Sequence, residues 1–74
     1  MNPNTQYLDD LVDRYVGWRE ACTHVSETYD GWRLAAREDR TLAFGEYVAA
    51  LNGEEEAAAQ YQQTVERLAA LTAA

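Results

Sequence analysis

The sequence predicts an all-α protein, an antiparallel hairpin of two long helices packed in heptads. Three observations lead there. Apolar positions Leu8, Leu11, Tyr15, Trp18, Cys22, Val25, Tyr29 and Trp32 are spaced alternately by three and four residues, the pattern of one stripe on a supercoiled helix. A second series, Phe44, Tyr47, Leu51, Glu54, Ala58, Tyr61, Val65 and Leu68, alternates in the same way. The two series also mirror each other: Leu8 pairs with Leu68, Leu11 with Val65, Tyr15 with Tyr61, Trp18 with Ala58, Cys22 with Glu54, Val25 with Leu51, Tyr29 with Tyr47 and Trp32 with Phe44, every pair summing to 76. Antiparallel helices juxtapose residues of constant sum, so the reversal lies near residue 38.

Each element follows in order. Residues 1–4 form a lead in which Asn2-Pro3 or Asn4-Thr5 is suited to cap the first helix, with Asp9 and Asp10 favourably placed in its early turns. The first helix is expected over about residues 5–37. Its centre is a tandem repeat, Tyr15-Val16-Gly17-Trp18-Arg19-Glu20-Ala21 and Tyr29-Asp30-Gly31-Trp32-Arg33-Leu34-Ala35, two heptads apart. The steps Trp32, Ala36, Arg40, Phe44 are all of four residues, so the heptad phase breaks there. Asp39 is the best cap for a second helix over about residues 40–72. Residues 5–74 then make one small domain. Two other readings use the same residues: one uninterrupted helix pairing with a second copy, because the turn has no glycine or proline, and three helices, because Asn52-Gly53 before Glu54-Glu55-Glu56 reads as a stop and a restart. The hairpin is preferred because the phase is unchanged across Gly53.

Composition narrows the function. The 74-residue chain carries 13 acidic residues against six arginines and no lysine, a net charge of −7, which argues against nucleic-acid binding. The middle of the chain is neutral and both ends are acidic. No apolar run is long enough to span a membrane and no signal peptide is evident, so a cytoplasmic protein is expected. Cys22 is the only cysteine, which excludes an internal disulfide and reads as a small buried apolar residue. Abundant alanine, with arginine used to the exclusion of lysine, points to a GC-rich genome such as that of an actinobacterium or its phage. Over Trp32 to Tyr61 the chain resembles small alanine- and arginine-rich helical proteins of such organisms, with no motif that names a family. The Trp-x-Gly turn of type VII secretion hairpins is not matched, since here the order is Gly-Trp inside a predicted helix.

No catalytic constellation is expected. There is no Gly-x-Ser-x-Gly turn, no phosphate-cradling glycine loop, and the single histidine, His24, lies on the predicted outer side with Glu20 and Glu27 one turn away. That set is too small for a metal site, and no cofactor is expected. Partner surfaces are more plausible. Ala43, Ala50, Ala57, Thr64 and Leu71 recur every seven residues beside the main stripe, as do Ala21, Thr28 and Ala35, and such small residues let another helix approach closely. Gly17, His24 and Gly31 share an outer stripe that is either a shallow docking groove or a relief of crowding beside the indoles. Glu54 interrupts the core series and either fixes register or leans out to water, and with Glu55 and Glu56 it makes an acidic patch.

The expected function is therefore that of a non-enzymatic interaction module: a hairpin that self-associates, as a homodimeric four-helix bundle, and offers an acidic surface to a protein partner. The alternative is a small acidic regulator or inhibitor, of phage origin, that binds a nucleic-acid-handling host protein.

Overall fold

The computed structural model describes residues 3–73, with side chains from residue 5 onward. Two helices, α1 (Pro3–Leu34) and α2 (Arg40–Thr72), reverse through a single 3-10 turn at Arg37–Asp39 and pack along their whole length as a rod of 56 × 18 × 12 Å. At ~1.5 Å per residue each helix is ~48–50 Å long, so the rod is the hairpin itself. The register of constant sum 76 is present: Tyr15 meets Tyr61 at 5.7 Å between ring centroids, Tyr29 meets Tyr47 at 5.6 Å, and Trp32 meets Phe44 at 5.0 Å.

The reversal is built without glycine because it needs no left-handed residue. Ala36 is extended, at φ −62° and ψ 156°, and among the described residues no φ is positive. The amide of Ala35 donates to the Trp32 carbonyl and that of Asp39 to the Ala36 carbonyl, at 3.3 and 2.9 Å. The first helix consequently stops at Leu34, three residues short of the position expected from its heptads, and α2 begins at Arg40 as expected. Asp39 occupies the N-cap position at φ −101° and ψ −4°, a geometry in which its carboxylate makes no capping hydrogen bond. Pro3 is the first helical residue described, a place where its missing amide hydrogen is not needed; the Asn2 cap lies outside the described residues. Helix α2 runs unbroken through Gly53, so the three-helix reading and the single long helix both give way to the hairpin.

Burial shows which rows of each helix face the partner helix. On α1 these are Leu11, Trp18, Val25 and Trp32, together with Ala21, Thr28 and, just past its end, Ala35; on α2 they are Tyr47, Glu54, Tyr61 and Leu68, together with Ala43, Ala50, Ala57 and Thr64. Cys22 and Ala58, on the neighbouring rows, are half-buried at mid-rod. Ala50 and Thr64 are the most enclosed residues described, at 5% and 6% exposure. The small-residue rows thus line the seam between the two helices of one chain, where the sequence suggested a surface for a further helix. The physical reason is size: alanine and threonine let the two backbones draw together, and close approach then shuts out solvent. The hydroxyls in this seam are satisfied within their own helix. Thr28 donates to the His24 carbonyl at 2.9 Å and Thr64 to the Gln60 carbonyl at 3.0 Å.

Candidate functional site: an unpartnered apolar face

Drawing the small rows inward turns the large ones outward. Leu8, Tyr15 and Tyr29 on α1 and Phe44, Leu51 and Val65 on α2 are between 39% and 51% exposed, although the sequence placed all six in the hairpin core. Each of these rows lies three residues before the inward row of its own helix. In an antiparallel pair equal offsets fall on the same side, because the sense of rotation reverses together with the chain direction. The two rows therefore share one long side of the ribbon. Val12 and Val48, also exposed, fall on the rims of that side by the same rotation. Among the described residues, eight of the twelve exposed large hydrophobic ones belong to this side, while the small rows border the other. Charge follows the same division. Of the 13 acidic residues, Glu55 lies on the apolar side, where Arg19 and Arg33 occupy the opposite rim, and the half-buried Glu54 reaches its edge at Cys22; the other acids project from the outer surfaces or the turn.

Beneath this face the tandem repeat builds two aromatic clusters of nearly the same geometry. Trp18 stacks on Tyr61 at 5.8 Å and 10°, with Tyr15 tilted against both; Trp32 stacks on Tyr47 at 5.6 Å and 14°, with Tyr29 against both. The fourteen-residue spacing of α1 is matched by Tyr47 and Tyr61 on α2, so one cluster is copied along the rod. The copies differ at two places. Phe44 leans on Trp32 where the small Ala58 stands near Trp18, and the Trp18 indole Nε1 donates to Glu54 Oε1 at 2.9 Å. The residue equivalent to Glu54 in the other cluster is Arg40, which cannot accept.

Glu54 is half-buried and reaches both partners on α1, since Cys22 Sγ also lies 3.9 Å from the same oxygen. This geometry supports the register-setting role over a side chain leaning free into water. Sliding the helices by a heptad would strand the indole N–H and leave a carboxylate against apolar groups. Glu54→Gln should keep the acceptor and cost under about 1 kcal/mol, whereas Glu54→Leu removes it and should cost about 1–2 kcal/mol in thermal or urea unfolding.

The outer stripe carries less. A methyl group added at Gly17 or Gly31 would meet nothing within 4 Å, so neither glycine relieves crowding beside an indole. Gly17→Ala and Gly31→Ala should each raise stability by about 0.5–1 kcal/mol in urea titration, from helix propensity alone. His24 sits in a shallow outer depression with Val16, Glu20 and Glu27. Among the described residues no three His, Cys, Asp or Glu side chains converge to hold a metal ion, and no helix is long and apolar enough to cross a membrane. The only ion pair among them, Arg33 with Asp30 at 3.5 Å, is well exposed and contributes little. Glu55 and Glu56 are exposed, and Leu71 stands at the open end beside Leu8 and Leu68. Comparison with known proteins finds no matching family model, no similar curated protein and no similar solved structure.

Proposed function

We propose that this chain is a non-enzymatic interaction module, a helical hairpin that self-associates into a four-helix bundle and offers its acidic outer surface to a protein partner. The observation that carries this reading is the mismatch between what the hairpin buries and what it exposes. Ala50, at 5% exposure, is the only buried hydrophobic residue described, whereas eight large apolar side chains stand half-exposed along one side. The accessible surface is 5706 Å² for an 8.4 kDa chain, and a compact monomer of that mass would expose about 4,600 Å². The excess of about 1,100 Å² per chain is more than the roughly 800 Å² that one partner contributes to a specific interface of ordinary size. Short chains without disulfides or metal commonly obtain their stability in this way.

Sedimentation equilibrium at micromolar concentration tests the reading. A dimer is expected, and a folded monomer across that range would end it. The acidic outer surface is tested separately. Binding of a basic protein partner should weaken with added salt and with replacement of the exposed Glu56 and Glu66 by glutamine.

A further inference from the structure

Resting on the self-association just proposed, we infer that a second copy covers the Leu8–Tyr15–Tyr29 and Phe44–Leu51–Val65 side, with the two Arg37–Asp39 turns at the same end of the bundle. The surface chosen is the one whose exposure the single chain does not explain. Its two central rows are apolar, with Ala58 and Cys22 at mid-height. In a chain of net charge −7 its charged residues are Arg19 and Arg33 on the α1 rim, Glu55 on the α2 rim, and the half-buried Glu54, whose carboxylate is held by the Trp18 indole beside Cys22. An acidic chain that keeps all but two of its acids off one side, one of the two tied to an indole N–H, has removed the chief obstacle to meeting its own copy there.

Two arrangements bring this side against itself about a two-fold axis, and charge separates them. If the axis lies across the rod, the turns sit at opposite ends and each helix faces its own counterpart reversed. Arg19 is at the midpoint of α1, Pro3–Leu34, so the two Arg19 side chains would meet each other. If the axis runs along the rod, the turns sit together and α1 faces the partner's α2, antiparallel. Levels then match as they do within the chain, where contacting residues sum to 76. Arg19 comes level with position 57 of the other copy, within reach of its Glu55, and symmetry makes the pair twice. Size agrees as well. Tyr15 falls between the copy's Ala58 and Val65, where the small residue near Trp18 leaves room, and Cys22 falls between Leu51 and Ala58. Every helix in such a bundle has antiparallel neighbours, the usual four-helix arrangement.

The distance between the two turns is the direct test. With Cys22→Ala, a spin label at Glu38→Cys should give an interchain distance of about 15–25 Å by electron–electron dipolar spectroscopy, from helix spacings of ~10 Å. A dimer with the labels near 50 Å apart, close to the 56 Å length of the rod, would overturn this arrangement while leaving self-association intact; a folded monomer would remove the self-association itself. Charge reversal gives an independent measurement. Arg19→Glu and Glu55→Arg should each weaken the dimer by about tenfold, and the double variant should recover most of the loss. Additive losses in the double variant would contradict the inference.

Discussion

Replacing Leu8 and Leu51 by glutamate should abolish self-association at micromolar concentration, with the dissociation constant rising at least about a hundredfold. Both residues lie on the apolar side and are 51% and 39% exposed in the single chain, so roughly half of each side chain remains to be covered. Full burial of a leucine is worth about 1.5–3 kcal/mol, so the uncovered half is worth about 1 kcal/mol. A symmetric dimer loses four such contributions, and four carboxylates would enter the interface without partners. Val16→Glu is the control. Val16 is 46% exposed, comparable to Leu8 and Leu51, but it belongs to the outer side, and its replacement should leave the association constant within a few-fold. Sedimentation velocity over a dilution series reads both. Equal loss in the control would mean that exposure alone, rather than this side of the ribbon, governs association.

Trp32→Ala should cost about 3 kcal/mol and leave a large part of the chain unfolded at room temperature. Its indole touches Tyr29, Phe44 and Tyr47, with centroid distances from 5.0 to 6.2 Å, and it holds the end of the rod nearest the turn. Removing a packed tryptophan costs about 3–5 kcal/mol in a core, and the partial exposure here places the effect at the lower end. A domain this small has only a few kcal/mol in reserve. Trp32→Phe keeps an aromatic in the stack and should cost about 1–1.5 kcal/mol. Far-ultraviolet circular dichroism during urea titration checks both, and a fully helical Trp32→Ala protein would contradict the account of the clusters.

Much of this architecture was legible in the chain, for a physical reason. A heptad pattern and its mirror image determine the period, the direction of the second helix and the register together, so Tyr15 with Tyr61 and Trp32 with Phe44 could be paired from residue numbers. Which rows face inward was less legible. Each helix carries three neighbouring rows that are apolar or small, and hydrophobicity favours placing the largest, Leu51 and Val65, inside. Close approach of the backbones favours Ala50 and Thr64, and that determined the seam. The turn was placed correctly near residue 38, but its start was not, because an extended Ala36 has no signature of its own. The partnership of Glu54 with Trp18 had a readable trace: constant sum sets Glu54 level with Cys22, one turn from an indole whose single N–H needs an acceptor.

On the proposal above, the folded state of this chain is a shared one, completed by a second copy across the apolar side. Thermal unfolding followed across a hundredfold range of protein concentration tests it most directly, since mass action stabilises an associated native state as concentration rises. The midpoint should climb by several degrees over that range, with a dimer at its upper end. A midpoint that stays constant, in a protein that sediments as a folded monomer throughout, would contradict it.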